Sequence, residues 1–168
     1  MPAQLSDGYD LLFEFQQPVS YEEFDTKELR DDTTIQPVDF IVEFEEYFLF
    51  IEVKDPDNPG AENPEAIRRK LHDGKLVTKL AGKFRDTRYF FQCQDRTDKK
   101  IYYIVLLSMK ELSVQSLMTR TDEIKKALPF DHKTHNRKLI DQCIVLNLDQ
   151  FKKKFGENSV WRKSDFEN

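Results

Sequence analysis

Long apolar runs are missing from this sequence of 168 residues, in which 34% of the side chains are charged. The longest apolar stretches are interrupted by Glu, Asp or Lys within about eight residues, whereas a membrane-spanning helix needs about 20. The amino-terminal residues 1–8 also lack the basic and apolar regions of a signal peptide. We therefore expect a cytoplasmic protein with no membrane partner.

Metal-binding patterns of cysteine and histidine are missing as well. The only two cysteines, Cys93 and Cys143, lie far apart and form no paired zinc spacing, so we interpret them as buried or unreactive thiols. His132 and His135 lie in a polar segment that lacks the further ligands of a four-coordinate zinc site. We interpret that segment as a solvated loop. The sequence also lacks a glycine-rich phosphate-binding loop.

The net charge of −5 conceals an uneven distribution of charge. Residues 1–65 contain 18 acidic and 3 basic side chains, whereas residues 66–168 contain 13 acidic and 23 basic ones. Acidic groups that hold a metal, joined to cations that neutralise phosphates, would suit a phosphodiesterase. Alternatively, the two halves form solvated faces of opposite charge that pair with each other.

Two neighbouring apolar runs give the clearest structural signal. Residues 39–44 (Asp-Phe-Ile-Val-Glu-Phe) and residues 47–53 (Tyr-Phe-Leu-Phe-Ile-Glu-Val) are rich in β-branched and aromatic side chains. Such runs are typical of strands, and the short spacing between them predicts a tight turn around Glu45 and Glu46. The sequence therefore predicts an antiparallel β-hairpin.

The predicted hairpin brings two carboxylates together. A turn centred between Glu45 and Glu46 pairs Phe44 with Tyr47 and Asp39 with Glu52. Directly opposed residues share a face of the sheet, with Cβ atoms about 4.5 to 5.5 Å apart. Because side chains alternate along a strand, Lys54 lies on the face that carries Glu52.

Two carboxylates at this spacing repel each other unless a cation lies between them. Oxygen ligands of this kind suit Mg²⁺ or Mn²⁺, which keep several waters and bind phosphate oxygens. A bound ion would polarise a phosphoryl group and lower the pKa of a bound water, while Lys54 could orient or help to deprotonate that water. The pattern therefore favours phosphodiester hydrolysis.

An acidic residue two positions before a lysine is not specific, because it occurs at five other places in the chain. The match at residues 52–54 differs because it ends an apolar run and has Asp39 at the matching register. With residues 37–39 (Pro-Val-Asp) as the first half and residues 52–54 (Glu-Val-Lys) as the second, the chain resembles the PD-(D/E)xK nuclease superfamily.

The resemblance implies a restriction-endonuclease-like fold and a set of site residues. Asp39, Glu52 and the carbonyl group of Val53 would hold Mg²⁺ or Mn²⁺, and Lys54 would be the catalytic lysine. Members of the superfamily often carry a further acidic residue before the hairpin, and the candidates here are not separated by spacing: Glu14, Glu22, Glu23 and Glu28. Some members bind without cutting, so the resemblance supports the fold more than the activity.

A basic helix is predicted after the hairpin. Asn63 can cap a helix that begins at Pro64, and a break follows at residues 73–74. Apolar side chains then recur with helical spacing, which predicts a face directed at the core: Val77, Leu80, Ala81 and Phe84. Lys79 and Lys83 line a neighbouring face, and we predict that they contact nucleic-acid phosphates. A solvated helix face is the alternative.

The remaining elements complete the predicted fold. We predict a strand in residues 10–15, a short helix through Phe24 and Leu29 within residues 21–36, and a strand buried on both faces in residues 101–107. A helix over 114–128, a strand over 143–148, a helix capped by Asp149 and a loosely ordered final dozen residues follow. This order describes an α/β protein whose mixed central sheet is flanked by helices.

We therefore expect one domain over residues 1–168, with an acidic amino-terminal part and a basic carboxyl-terminal part. The leading interpretation is a metal-dependent nuclease, and more specifically a DNA endonuclease, for which cutting both strands would favour a homodimer. The alternative is a catalytically inactive module that keeps the nuclease fold and binds nucleic acid or a protein partner. A third interpretation is an adaptor whose acidic half recruits a basic partner.

Overall fold

The computed structural model describes residues 10–128, 134 and 138–166, together with the backbone of residues 3–4. The strands are β1 (Ala3–Gln4), β2 (Leu11–Phe13), β3 (Ser20–Glu23), β4 (Phe40–Glu43), β5 (Tyr47–Lys54), β6 (Lys100–Leu107), β7 (Gln142–Leu146) and β8 (Val160–Arg162). The helices are α1 (Lys27–Asp32), α2 (Pro64–His72), α3 (Lys75–Cys93), α4 (Val114–Ala127) and α5 (Leu148–Phe155). Two short 3-10 helices, Glu157–Ser159 and Lys163–Asp165, flank β8.

A mixed five-stranded sheet lies at the centre of the fold, with the strand order β3-β4-β5-β6-β7. The first three of these strands are antiparallel neighbours, whereas β5, β6 and β7 run parallel. Both β5 and β6 are buried on both faces over most of their length, because each face of the sheet is covered. The predicted α/β class with a mixed, helix-flanked sheet is confirmed.

The hairpin of β4 and β5 has the predicted register. Phe40 pairs with Ile51 and Glu43 with Phe48, and the amide of Phe44 donates to the carbonyl of Tyr47 at 2.9 Å. One residue beyond the Phe40–Ile51 pair, away from the turn, the same register places Asp39 opposite Glu52. The turn at residues 45–46 and the alternation of side chains were therefore sufficient to predict this part of the fold.

Helices α2, α3 and α4 contribute to a hydrophobic core on one face of the sheet. Asn63 caps α2 by accepting a hydrogen bond from the amide of Ala66 at 3.1 Å, and Gly74 separates α2 from α3 with a φ of 72°, a conformation that glycine adopts without strain. The predicted apolar stripe of α3 is confirmed, because all four of its members are buried: Val77, Leu80, Ala81 and Phe84.

A second core covers the other face of the sheet and joins the two ends of the chain. Strands β2 and β8 of the small sheet β1-β2-β8 and helix α5 pack there, with Phe13, Phe151 and Val160 fully buried. The prediction of a loosely ordered carboxyl-terminal segment is wrong for residues 157–166, because β8 pairs with β2 over residues far apart in the chain. That pairing cannot be read from local sequence.

Arg162 of β8 holds a partly buried network of charges at the end of β5. Its guanidinium makes two hydrogen bonds to Asp55, at 2.7 and 2.8 Å, and further bonds to Asp10 at 3.2 Å and to the hydroxyl of Ser108 at 2.8 Å. Asp10 also accepts hydrogen bonds from the backbone and the side chain of Ser164. Residues from four parts of the chain are therefore held together beside Lys54.

Replacing Arg162 with methionine is expected to lower the free energy of unfolding by about 1 to 3 kcal/mol, because the partly buried carboxylate of Asp55 would lose its hydrogen-bonded partner. Urea unfolding followed by circular dichroism measures this loss. Lys152→Met is the matched control, since the Lys152–Glu157 pair is long and solvent-exposed and should contribute little. A loss as small as that of the control would show that the network does not stabilise the fold.

Two further local predictions are corrected by the structure. Residues 21–36 contain an edge strand, β3, as well as the short helix α1, and Phe24 lies between them instead of in the helix. The helix α5 is capped by Asn147 and not by Asp149, because Asn147 and Gln150 form reciprocal hydrogen bonds with each other's backbone. Asp149 instead lies in the first turn, where the helix dipole favours negative charge.

The two thiols have different environments. Cys93 is exposed at the end of α3, whereas Cys143 is buried in β7, and burial raises the pKa of its thiol to about 12. His132 and His135 lie outside the described residues. Within the described part of the chain, no helix combines the length and the apolar composition needed to cross a bilayer.

Candidate functional site

Asp39 and Glu52 are fixed side by side at one end of the hairpin, and both are buried. Asp39 immediately precedes β4, and its Oδ2 atom accepts a hydrogen bond of 2.6 Å from the backbone amide of Val53. Its carbonyl oxygen accepts from the amides of Phe24 and Asp25 at 3.0 and 3.2 Å. The strands on both sides therefore hold the Asp39 backbone and side chain in one position.

Two lysines contact the carboxylate of Glu52. Lys54, two residues along β5, donates a hydrogen bond to Oε1 of Glu52 and another, of 3.3 Å, to the carbonyl of Val53. Lys83 reaches from α3, with Nζ 2.9 Å from Oε1 and 3.1 Å from Oε2 of Glu52. The Lys83 ammonium is also 3.7 Å from Oδ1 of Asp39, so it lies between the two carboxylates.

Asp25 contributes a third carboxylate to this site. It lies in the loop between β3 and α1, and its Oδ2 atom is 3.7 Å from Nζ of Lys83. Glu22, one of the four acidic residues considered from the sequence, pairs with Arg96 at 2.9 Å.

The pairing of β3 with β4 explains why Asp25 was missed. Glu23 pairs with Phe40, so the residues that follow β3 lie beside Asp39. The strand itself reads Ser-Tyr-Glu-Glu, which gives almost no apolar alternation from which a strand could be predicted. Recognition of β3 would have pointed to Asp25.

Burial and charge oppose each other in this cluster. Burial raises the pKa of Glu52, the neighbouring charge of Asp39 raises it further, and the two lysines only partly offset these effects. Burial alone would lower the pKa of Lys83, but the charges of Glu52 and Asp39 outweigh burial and raise it above its usual value. Lys83 therefore carries a positive charge that its surroundings stabilise.

Buried aromatic side chains lie near the site. Tyr103 of β6 is fully buried and its hydroxyl donates to the carbonyl of Leu80 at 2.9 Å. Burial and the nearby charge of Glu52 raise the pKa of Tyr103 well above its usual value, so its phenol stays neutral. The rings of Phe84 and Tyr103 lie 5.2 Å apart, and both are fully buried.

The available donor atoms fit a hard divalent cation. Asp39 and Glu52 supply carboxylate oxygens, and one ammonium group, that of Lys54, contacts both Glu52 and the carbonyl of Val53, so these acceptors lie close together. Ions such as Mg²⁺ take few protein ligands and keep several waters. Within the described residues, no set of three or more His, Cys, Asp or Glu side chains has the arrangement of a metal site. A divalent ion at this site would therefore have three protein ligands, namely the carboxylates of Asp39 and Glu52 and the carbonyl of Val53.

The two lysines predicted to bind nucleic acid differ in their surroundings. Lys79 is exposed to solvent on α3, whereas Lys83, one turn further along, has a side chain that is only 15% exposed and directed at the carboxylates. Helical periodicity placed both lysines on a face next to the apolar face of α3, but it could not show which of the two points at the sheet. Their role as phosphate contacts stays a prediction.

The acidic and basic halves of the chain pair with each other. Several cations from residues 66–168 bind carboxylates from residues 1–65 in the described structure, including the pairs Arg68–Asp57, Lys83–Glu52, Arg96–Glu22, Lys99–Glu43, Arg162–Asp10 and Arg162–Asp55. This supports the alternative in which the opposite charges hold the fold together. It leaves exposed cations such as Lys79 available for other partners.

Comparisons with protein-family models, with curated proteins and with solved structures found no match. The fold and the site define an α/β protein with a mixed five-stranded sheet. Two buried carboxylates and two partly buried lysines cluster at the end of its central hairpin.

Proposed function

We propose that this protein is a metal-dependent nuclease of the PD-(D/E)xK type with a restriction-endonuclease-like fold, and that it cleaves phosphodiester bonds in DNA as an endonuclease. The observation that carries the proposal is the convergence of Asp39, Glu52 and Lys54 at one end of the hairpin. The predicted register specified this convergence, and the all-oxygen donor set suits Mg²⁺ or Mn²⁺.

In this mechanism the chain positions the substrate phosphate and the attacking water. A bound divalent ion would supply Lewis-acid polarisation of the phosphate and a lower pKa for water. Asp39, held by the amide of Val53, and Glu52 would hold that ion. Lys54 is held by Glu52 and the Val53 carbonyl, and its ammonium would orient the attacking water or stabilise charge that develops on the phosphate.

Binding of the nucleic-acid backbone would use cations around the site. Lys79 is exposed on the helix that carries Lys83, so it could contact a phosphate near the cleaved bond. Such contacts release counterions and make affinity depend strongly on salt. A double-strand break would need two sites, which a homodimer could supply.

The proposal is tested by incubating the purified protein with supercoiled DNA, linear DNA and RNA, in Mg²⁺, Mn²⁺ or EDTA. We expect cleavage of supercoiled and linear DNA that requires the metal. The control is Glu52→Gln purified in the same way, which should lose metal binding and cleavage together. Cleavage that persists in this variant would indicate a contaminating nuclease, and absence of cleavage in the wild type would contradict the proposed activity.

A second candidate function is a catalytically inactive module that binds nucleic acid or a protein. The observation that favours it is the pairing of the buried Glu52 carboxylate with both Lys54 and Lys83, which compensates its charge without a metal. Direct measurement of metal binding separates the two candidates, because the nuclease requires Mg²⁺ or Mn²⁺ at Asp39 and Glu52 whereas the inactive module does not.

A further inference from the structure

The ammonium group of Lys83 lies where three carboxylates meet. Its Nζ atom is 2.9 Å from Glu52 and 3.7 Å from both Asp39 and Asp25. Among the lysines in the described part of the chain, only Lys83 forms ion pairs with three carboxylates. Asp39 and Glu52 are also the two residues whose carboxylates would hold the proposed metal ion.

We propose that Lys83 is a built-in cation that competes with the divalent ion for Asp39 and Glu52, and that Asp25 holds the ammonium group when the ion enters. This inference rests on the proposed function, since it concerns occupancy of the same metal site. In this proposal, Lys83 sets the affinity of the site for the metal but does not bind the metal itself.

Competition follows from charge and distance. An ammonium and a divalent ion that share the same carboxylate oxygens would lie a few ångströms apart in a partly dry site, where like charges repel strongly. One of the two cations must therefore leave. Without the ammonium, the metal-free protein would instead contain two adjacent buried carboxylates, which is also unfavourable.

The structure allows the side chain of Lys83 to move while its backbone stays in place. The Lys83 carbonyl accepts a hydrogen bond of 2.8 Å from the hydroxyl of Thr87, which in turn accepts one of 2.9 Å from the amide of Val38. The adjacent Phe84 is fully buried. The helix is therefore fixed to the hairpin, whereas the lysine stem retains its rotatable bonds.

Asp25 is the natural alternative partner of the displaced ammonium. Its Oδ1 atom is bound by Arg30 at 2.6 Å, whereas its Oδ2 atom is already 3.7 Å from Nζ of Lys83. Asp25 is also more exposed than Asp39 or Glu52. A shift towards Asp25 would therefore keep Lys83 paired as it leaves the other two carboxylates. A substrate phosphate that attracts the ammonium would have the same effect, so metal and nucleic acid should bind with positive coupling.

The test measures Mn²⁺ binding to the full chain without nucleic acid, by electron paramagnetic resonance of the free ion. Lys83→Met should bind Mn²⁺ at least about tenfold more tightly than the wild type, because the competing charge is gone. The matched control is Lys79→Met, which removes the same charge from the same helix but from an exposed position. Its affinity should stay close to that of the wild type.

Lys83→Gln provides a second variant in case the apolar methionine prevents folding, since its amide can still donate a hydrogen bond to Glu52. It too should bind Mn²⁺ more tightly. Asp25→Asn should weaken Mn²⁺ binding when Lys83 is present. The same replacement should have a smaller effect in the Lys83→Gln background, because residue 25 then has no ammonium group to hold.

Two results would overturn the inference in distinguishable ways. Equal Mn²⁺ affinity in the wild type, Lys83→Gln and Lys79→Met would reject competition by Lys83 and leave the metal site in place. Failure of the wild type and of both Lys83 variants to bind Mn²⁺ at millimolar concentration would reject the metal site itself, and with it the proposed function.

Discussion

Lys54→Ala is expected to lower the rate of DNA cleavage by about 10²- to 10⁴-fold, the range for loss of a group that assists proton transfer or stabilises a developing charge. The fold and the Mn²⁺ affinity should change little. Lys83 would still neutralise the buried Glu52 carboxylate, and Lys54 itself is not one of the proposed metal ligands.

Single-turnover cleavage at saturating metal measures this effect, because it separates the chemical step from product release. Lys100→Ala is the matched control. Lys100 is an exposed lysine at the start of β6, and it pairs with Tyr47 at the opposite end of β5. Its replacement should leave the rate unchanged. Equal rates for Lys54→Ala and the wild type would exclude Lys54 from the reaction.

Phe84→Ala is expected to lower the free energy of unfolding by about 3 to 5 kcal/mol, the usual loss for a large aromatic side chain removed from a core. Phe84 is fully buried, and its ring lies 5.6 Å from that of Phe50 and 5.2 Å from that of Tyr103. These contacts fix α3 against the sheet next to Lys83. The variant should therefore also perturb the candidate site.

Urea unfolding of Phe84→Ala and Tyr89→Ala measures the contribution of this contact against a control on the same helix. Tyr89 is 64% exposed, so its replacement should change the free energy of unfolding by no more than about 0.5 kcal/mol. A loss below about 1 kcal/mol for Phe84→Ala would show that the helix is held in place by other contacts.

The hairpin could be predicted from the sequence because its information is local. The apolar runs and the short turn at residues 45–46 fix the register, and the register places Asp39 opposite Glu52. Alternation along β5 then places Lys54 on the face of Glu52. The contacts of Lys54 with Glu52 and of Asp39 with the Val53 amide agree with that placement.

The core face of α3 was also determined by the sequence, since helical spacing alone aligns its apolar side chains. The same spacing did not distinguish Lys79 from Lys83. The difference between them depends on how α3 packs against the hairpin, which brings Lys83 to Glu52 over 31 positions of sequence. Helical periodicity gives no information about how far a side chain lies from a strand that is distant in the sequence.

Tertiary structure alone decided the rest of the site and the closure of the fold. Asp25 approaches Lys83 because the polar edge strand β3 pairs with β4. Arg162 reaches Asp55 across 107 positions because β8 pairs with β2. Sequence patterns determine which residues share a face within one strand or helix. The contacts between distant elements arise only when their apolar faces are buried together, and these contacts place Asp25 and Lys83 beside the two carboxylates that the hairpin had already brought together.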